Sequence, residues 1–347
     1  MNSAIFIGPY RQYDYVGTSS NIFLHSIHKE LKKYDISLFS RPLFLNNALV
    51  NPNNIDYSLY ENINLDPIEF SVCIQHAPTE YLATQYKWKN IAIPILDPKI
   101  HKASVFNNLQ KLNEFDAVLV SSEQEKNVLL KSSISSKIYI CDENLLDHTS
   151  KDILNNRYDL GSLSDDEYNF GFIGSYTENL SIINKTVLSF LVAFRSDSNL
   201  KLHFFLRGTQ TNKNEIEKFY HETLKQLQIY NYNNISFTFS SLDLEASIAS
   251  LNSTNCLLAI NDDINMHIYE NYMKRLNRAV INKGSVDTIQ VPTTFVDYRY
   301  DIDDLLSSIS TLDLISKMRQ SIDKSRPIKN KVANNPTMGA TVCRILQ

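Results

Sequence analysis

Short apolar runs alternate with longer amphipathic segments along this chain, and this alternation limits the fold more than any other feature. In the first half, strands are predicted at Ala4–Ile7, Ser71–Gln75 and Ala117–Val120, each followed by a segment with helical spacing. Repeated strand–helix units predict a parallel sheet covered by helices. The predicted helices are Ser20–Lys32, Thr79–Trp88 and Glu123–Lys131, and Lys137–Cys141 is a further strand.

The alternation starts again after a polar stretch. Asp142–Glu167 is rich in Asp, Asn and Ser and has no sustained period, so we interpret it as the connection between two domains. The expected architecture is α/β, with two Rossmann-like domains, residues 1–150 and 151–330, facing a cleft. The second series has predicted strands at Tyr168–Ile173, Lys201–Leu206, Ile235–Phe239, Leu257–Ile260, Ala279–Ile281 and Val291–Val296, and helices at Ile182–Phe194, Asn214–Gln228, Leu242–Leu251, Ile268–Leu276, Ile302–Ile309 and Leu314–Lys324.

Composition narrows the class of protein. A chain of 347 residues with 43% hydrophobic content can bury the cores of two such domains. A net charge of −4 gives no general basic field, which argues against broad nucleic-acid binding. The N-terminus has no basic-then-apolar leader and no apolar stretch is long enough to span a bilayer, so we expect a cytoplasmic protein. The cysteines form no CxxC pair and are expected to be reduced, mostly buried thiols: Cys73, Cys141, Cys256 and Cys343.

The segment Leu257–Gly284 carries the most specific spacing in the chain. Asp262 and Glu270, with seven residues between them, lie on either side of the junction between a predicted strand and helix. Ligands of open α/β sheets bind at such strand ends. The alternative is that Asp262 is a turn residue and Glu270 a solvated helix position.

This spacing resembles the acid-x7-acid motif of GT-B glycosyltransferases, above all the retaining family 4. Tyr168–Phe194 resembles that family's opening strand, phosphate loop and helix, and Phe115–Leu130 resembles its penultimate strand–helix unit in the first domain. The resemblance implies that Asp262 touches the donor sugar and that Glu270 holds the nucleotide ribose. It also implies that residues 331–347 return to the first domain. The chain departs from the family in having Asp at 262 rather than Glu, and Asn277 and Arg278 where the family has Gly-Pro.

A donor site is predicted around Gly174, which follows a strand and precedes a helix. Without a side chain in the way, the loop amides and the helix N-terminus can meet a diphosphate. The family has an Arg after this Gly and a Lys one turn later, where this chain has Ser175 and, later still, Lys185; Arg207, at the next strand end, is expected to supply the missing charge. A solvated helix lysine is the alternative for Lys185. The predicted donor-binding residues are Gly174, Ser175, Lys185, Arg207, Glu270, Lys283 and Gly284.

The acceptor half is predicted from His76 and from the loop Tyr13–Ser20. His76 follows a strand and resembles the family's strand-end His, whose imidazole can hydrogen-bond the transferred sugar or an acceptor hydroxyl. Gly17 permits close backbone approach to a ligand, Thr18 can cap the following helix, and Tyr15 can stack on a sugar face. The alternative for His76 is an imidazole that only caps or hydrogen-bonds its own loop. The alternative for Tyr13–Ser20 is a loop that caps the helix and binds no ligand.

The resemblance as a whole implies a glycosyltransferase that moves a sugar from a nucleotide-diphosphate sugar to a hydroxyl acceptor, with His76 and Asp262 as catalytic residues. Family acceptors include growing glycans, lipopolysaccharide and lipid-linked sugars, which implies polysaccharide biosynthesis at the inner membrane surface with peripheral membrane contact. No permanent cofactor and no metal are expected. The alternatives are a nucleotide-sugar epimerase of the same architecture and a degenerate, non-catalytic GT-B binding protein.

Overall fold

The computed structural model describes residues 3–12, 15–45, 70–96, 108–143, 167–230, 232–240, 244–261, 266–282, 288–289, 308–322 and 335–346. The chain divides into two compact units, Met1–His148 with Ala333–Gln347, and Thr149–Val332. Each unit contains one large sheet whose strands are all parallel. The predicted α/β class with two Rossmann-like domains is therefore confirmed.

The first unit is built on six strands in the order β2-β1-β3-β4-β5-β6. The chain adds β2 on one side of β1 and β3 on the other, so this sheet has its topological switch point between β1 and β3. Such a point leaves a crevice at the carboxyl ends of the two strands. The strands are β1 Ser3–Gly8, β2 Ser37–Pro42, β3 Val72–Ala77, β4 Lys89–Pro94, β5 Ala117–Val120 and β6 Lys137–Ile140, and the helices are α1 Tyr15–Lys32 and α2 Glu123–Lys131.

The predicted helix Thr79–Trp88 is wrong. Only Thr79–Tyr81 forms a 3₁₀ turn, and the strand β4, which was not predicted, begins at Lys89. The Gln75 side chain holds the intervening chain at Ala83, donating from Nε2 to Ala83 O at 2.6 Å and accepting from Ala83 N at 3.1 Å. Asn90 does the same at Gln85, accepting from its N at 2.8 Å and donating to its O at 3.0 Å. These side-chain hydrogen bonds compete with helical pairing of the backbone.

The second unit is built on five strands in the order β11-β10-β7-β8-β9. Its switch point lies between β7 and β10, because β8 and β9 extend from one side of β7 while β10 and β11 extend from the other. The large strands are β7 Tyr168–Ser175, β8 Leu200–Arg207, β9 Ile235–Phe239, β10 Cys256–Ala259 and β11 Ala279–Asn282, and the helices are α3 Tyr176–Phe194, α4 Gln210–Gln226, α5 Leu244–Asn252, α6 Met266–Arg275 and α7 Thr311–Ile322.

Aromatic side chains fill the core of this unit. Phe170 and Phe172 on β7 are fully buried, and their rings contact Phe190 on α3 at 5.9 Å and Phe204 on β8 at 5.4 Å. Aromatic pairs at such distances add to the stabilisation from burial alone. This core fixes α3 on β7, and with it the junction at which the two elements meet.

In the described residues that follow β11, the secondary structure differs from the predicted elements. Ser308–Ile309 forms a short strand, β13, antiparallel to β12 at Thr288–Ile289, and not the end of a helix beginning at Ile302. The predicted strand Val291–Val296 lies outside the described residues. Within the described part of the chain, every helix is too short or too polar to cross a membrane.

The last helix, α8 at Met338–Leu346, belongs to the first unit and packs on α1. Met338 N donates to Glu143 Oε1 at 2.6 Å, and Gly339 N donates to Ser26 Oγ at 3.2 Å. At the other end of the helix, Lys89 Nζ donates to Ile345 O. A carboxylate at the start of α8 and a lysine at its end both match the helix dipole.

Candidate functional site

The switch point of the second unit brings three of the predicted donor-binding residues together. Gly174 and Ser175 end β7, and Ser175 is the register partner of Arg207 at the end of β8. The helix α3 begins at the next residue, and Ser175 occupies its N-cap position without capping it through the side chain. The first amides of a helix carry partial positive charge and suit an anion, so a strand end, a helix start and a cation lie at one sheet edge.

Position 174 has room only for glycine, because the Asn261 side chain packs against it. The sequence did not indicate this contact. Asn261 follows β10, and its Nδ2 donates to Ile173 O at 2.6 Å. A Cβ on residue 174 would lie 2.4 Å from that Nδ2. Register pairing of β7 with β10 ends at Gly171 and Leu257, so the Asn261 amide joins the two strands where the main chains no longer pair.

Asn179 approaches the same glycine from α3. Its backbone leaves the helical region, with φ −118° and ψ 15°, and kinks the helix in its first turn. Its Nδ2 donates to Ser175 O at 2.9 Å. The only sequence signal for Asn179 and Asn261 was a polar residue beside a buried strand or inside an apolar helix, and many asparagines in this chain share that setting.

Glu270 on α6 is turned toward the end of a strand. Its Oε2 accepts from Lys274 Nζ at 3.1 Å and from Asn282 Nδ2, at the end of β11, at 3.3 Å. The side chain is only 17% exposed. Among the described residues Oε1 has no partner, so a bound hydroxyl could reach it. This arrangement differs from the solvated helix acid that we considered as the alternative.

Two further cations lie away from this edge. Lys185 comes nine positions after the start of α3, about 13 Å along the helix axis, so the structure does not bring it beside Gly174. Arg278, in the place of the family's Pro, caps α5: its Nη1 donates to Leu251 O at 2.7 Å, Asn252 O at 3.0 Å and Thr254 O at 2.7 Å. A structural role in capping α5 therefore accounts for Arg278.

Three of the predicted residues, Asp262, Lys283 and Gly284, lie outside the described residues. Their roles stay predictions. Asn261 and Asn282 are the described residues that come just before Asp262 and Lys283 in the sequence. Both lie at the same sheet edge as Gly174.

At the switch point of the first unit, His76 is the penultimate residue of β3 and is 2% exposed. Its ring packs edge-on against Phe23 of α1, with centroids 5.0 Å apart. Burial lowers the pKa of His76 to about 3, so the imidazole is neutral at physiological pH. A neutral imidazole can exchange hydrogen bonds with a sugar, but it cannot gain and lose a proton readily near pH 7.

The structure corrects the setting of the predicted acceptor residues. The helix α1 begins at Tyr15, five residues before the predicted start, so Gly17 and Thr18 lie in its first turn and Thr18 does not cap it. A Cβ on residue 17 would lie 2.0 Å from Gln12 O. The close approach that Gly17 permits is therefore to the chain itself, and acceptor binding by Tyr15, Gly17 and Thr18 stays a prediction.

The cysteines are reduced and buried, which confirms the interpretation from their spacing. Burial raises the pKa of Cys73 to about 11 and that of Cys256 to about 12, which makes both thiols unreactive near neutral pH. In the parts of the chain that the structure describes, no three His, Cys, Asp or Glu side chains are grouped to hold a metal ion.

Buried histidines give the protein a pH-dependent stability. His203 on β8 shares a hydrogen bond with Ser236 Oγ at 2.6 Å, and burial lowers its pKa to about 4. The unfolded chain binds the proton near pH 6.5 and the folded chain does not, so stability falls as the pH drops from about 6.5 toward 4. We expect His203 to contribute about 2 kcal/mol to the loss of unfolding free energy between pH 7 and pH 5, measured by urea denaturation.

The variant His203→Leu should flatten this slope. His221→Leu, on the exposed surface of α4, is the matched control and should keep the slope of the wild-type protein. An unchanged slope in His203→Leu would show that the folded protein accepts a proton at His203 as easily as the unfolded chain does.

Comparison with known proteins rests on structure, since no family model and no curated protein sequence matches this chain. UDP-GlcNAc 2-epimerase from Neisseria meningitidis, bound to UDP-GlcNAc, superposes with a TM-score of 0.59 at 13% identity, covering 100% of this chain and 98% of that chain. The protein has the GT-B fold. The N-terminal domain of Candida albicans trehalose-6-phosphate phosphatase shares that fold with a TM-score of 0.55 at 9% identity, over 100% and 97% of the two chains.

The GT-B neighbours include glycosyltransferases as well as epimerases. Sucrose-phosphate synthase from Thermosynechococcus elongatus matches with a TM-score of 0.47 at 12% identity, over 74% of this chain and 75% of that chain. At these identities the likeness establishes the fold alone. The activity of this chain has to be argued from its site.

Proposed function

We propose that this protein binds a nucleotide-diphosphate sugar at the switch point of its second unit and transfers the sugar to a hydroxyl acceptor. The observation that carries the proposal is that the end of β7 at Gly174, the start of α3 and Arg207 lie at one sheet edge. A diphosphate needs hydrogen-bond donors and positive charge, and this edge supplies main-chain amides, a helix dipole and a guanidinium. Ser175 adds a hydroxyl where family 4 has an Arg.

The nucleotide end of the donor is assigned to Glu270. A carboxylate binds the two ribose hydroxyls by accepting both of their hydrogens. Lys274 and Asn282 hold Glu270 through Oε2, so the side chain is oriented before the ligand arrives. Preorganised contacts of this kind lower the entropic cost of binding.

The chemistry proposed is displacement at the anomeric carbon of the donor sugar. The acceptor oxygen forms a bond to that carbon as the bond to the diphosphate breaks, and the acceptor proton passes to the departing phosphate. Negative charge grows on the leaving diphosphate, where Arg207 and the α3 amides stabilise it. Attack on the face that the diphosphate leaves would retain the anomeric configuration. Asp262 and the neutral His76 are assigned hydrogen bonds to the sugar or acceptor hydroxyl, with Lys283 and Gly284 as further donor contacts.

The acceptor is assigned to the first unit, through Tyr15, Gly17 and Thr18. Growing glycans, lipopolysaccharide and lipid-linked sugars are the acceptor classes proposed, which places the reaction in polysaccharide biosynthesis on the cytoplasmic side of the inner membrane. No permanently bound cofactor is needed for this transfer.

Epimerisation of the donor sugar is the second candidate, because UDP-GlcNAc 2-epimerase superposes over the full length of this chain. That reaction requires groups that remove and return a proton at a sugar carbon. His76 does not favour it, since burial lowers the pKa of its imidazole to about 3 and so makes it a weak base. Proton NMR of the nucleotide sugar incubated without acceptor separates the two: a new sugar epimer indicates an epimerase, and an unchanged sugar that reacts only with added acceptor indicates a transferase.

The proposal predicts that Glu270→Ala weakens nucleotide-sugar binding by roughly tenfold to a hundredfold, because hydrogen bonds to a charged group contribute about 1.5 to 3 kcal/mol. Isothermal titration with UDP-, GDP-, CMP-, dTDP- and ADP-sugars should show one preferred nucleotide for the wild type and a weaker affinity for the variant. Glu222→Ala, which removes the acid of an exposed Lys–Glu pair on α4, is the control and should change nothing. Equal affinities of Glu270→Ala and the wild type would refute the ribose assignment, and no binding by the wild type would favour the degenerate binding protein.

A further inference from the structure

Two asparagine side chains flank Gly174, and the proposed function leaves both without a role. Asn261 follows β10, and Asn179 lies in the first turn of α3. A Cβ on residue 174 would lie 2.4 Å from Asn261 Nδ2 and 3.1 Å from Asn179 Nδ2. The two amides therefore meet at the glycine of the proposed donor site.

Hydrogen bonds fix the orientation of both amides. Asn261 Nδ2 donates to Ile173 O at 2.6 Å, and Asn179 Nδ2 donates to Ser175 O at 2.9 Å. A main-chain carbonyl can only accept, so the nitrogen of each amide must face it. Each Oδ1 is thereby left as an acceptor for some other group.

Both of these acceptors are buried and have no donor among the described residues. Asn179 is 2% exposed and Asn261 is 5% exposed. An unpaired buried carbonyl costs about 1 to 3 kcal/mol, which is why native proteins pair such groups with protein, ligand or ordered water. Asn169 also has an unpaired buried Oδ1, but it lies near the amino end of β7. The position at the switch point sets Asn179 and Asn261 apart.

We infer that Oδ1 of Asn179 and Oδ1 of Asn261 accept hydrogen bonds from hydroxyl groups of the donor sugar, which makes this asparagine pair a determinant of sugar specificity. The inference rests on the proposed function. Ionised phosphate oxygens have no hydrogen to donate, so an acceptor pair disfavours them, whereas a pyranose offers several hydroxyls. The pair places the sugar next to Gly174 and leaves the diphosphate to the first amides of α3 and to Arg207.

Binding of UDP and of UDP-GlcNAc, measured by isothermal titration on the full chain, tests the inference. Asn179→Leu and Asn261→Leu keep the approximate size of the side chain and remove both its Oδ1 acceptor and its Nδ2 donor. Each variant should bind UDP-GlcNAc about tenfold more weakly while its affinity for UDP stays within about twofold, as expected for one lost hydrogen bond to the sugar. Asn169→Leu, at another buried asparagine, 8% exposed and near the other end of the strand, is the control and should leave both affinities unchanged.

Two outcomes would overturn the inference while the proposed function stands. These are an equal weakening of UDP and UDP-GlcNAc in both variants, or no weakening of either ligand. A wild-type protein that binds no nucleotide and no nucleotide sugar of the panel would instead remove the proposed function itself.

A second measurement uses only the wild-type protein, so its result does not depend on whether the variants fold. UDP-glucose is compared with its 2-, 3-, 4- and 6-deoxy forms. At least one deoxy form should bind about tenfold more weakly than UDP-glucose, because a hydroxyl that donates to an asparagine has been removed. Equal affinities across the series would overturn the inference.

Discussion

The variant Gly339→Ala is expected to destabilise the first unit by about 3 kcal/mol, at the upper end of the cost of overpacking. Gly339 lies where α8 meets α1, and a Cβ there would lie 2.2 Å from Ser26 O. Because that oxygen belongs to the main chain of a helix, no side-chain rotation relieves the clash, and α8 must move away from α1. Displacement also weakens the bonds from Met338 N to Glu143 and from Gly339 N to Ser26.

Intrinsic helix propensity acts in the opposite direction in this variant. Alanine is about 1 kcal/mol more favourable than glycine within a helix. The expected net loss therefore requires the clash to exceed that gain. Urea denaturation of Gly339→Ala measures it, with Ala340→Ser at the half-buried neighbouring position as the control. Equal or greater stability of Gly339→Ala would show that α8 does not pack on α1 as closely as described.

The sequence was sufficient to predict strands that are continuous apolar runs. The predicted strand Ala117–Val120 and helix Glu123–Lys131 coincide with β5 and α2. Local side-chain spacing determines both elements: β5 is buried along its whole length, and Ser122 caps the helix that follows, accepting from Glu125 N at 3.1 Å. Each element of this kind can be recognised from a few neighbouring residues.

Elements that depend on distant contacts were missed. The strand β2 buries only Leu38 and Ser40 and owes its conformation to pairing with β1. The strand β4 follows a segment with helical spacing, which Gln75 and Asn90 hold in a non-helical conformation. Such hydrogen bonds exist only once the sheet has formed, so short-range periodicity could not reveal them.

Residues of the candidate site also divide into those that local sequence indicates and those that depend on distant contacts. Gly174 and Arg207 could be selected because strand ends can be located from the sequence, and Glu270 because its spacing from Asp262 resembles the acid-x7-acid motif. Asn261 could not, because its importance comes from its contact with Ile173 of β7, which is 88 positions away in the sequence. Nothing in the sequence distinguishes an asparagine that bridges two strands from one in a solvated turn.

The variant Gly174→Val is expected to lower the affinity for a nucleotide sugar by at least about a hundredfold. Any side chain at residue 174 starts with its Cβ 2.4 Å from Asn261 Nδ2 and 3.1 Å from Asn179 Nδ2, so both amides must be displaced. The remaining atoms of valine would occupy the space beside the start of α3 that the ligand needs. Two or more lost hydrogen bonds, each contributing about 1 kcal/mol, combine with this steric exclusion.

Gly171→Ala separates the loss of binding from a loss of stability. Gly171 lies three residues earlier on β7, and a Cβ there would lie 2.3 Å from Thr254 Oγ1, a contact as short as the one at Gly174. Both variants should melt at a lower temperature than the wild type, but folded Gly171→Ala should keep its ligand affinity, because its clash is with Thr254, which precedes β10, rather than with a residue at the carboxyl edge. Titration with the preferred nucleotide sugar, at a temperature where both variants are folded, decides the matter. Equal affinities of Gly174→Val and Gly171→Ala would mean that the ligand does not approach the β7–α3 junction, and the donor site would have to be sought elsewhere on the chain.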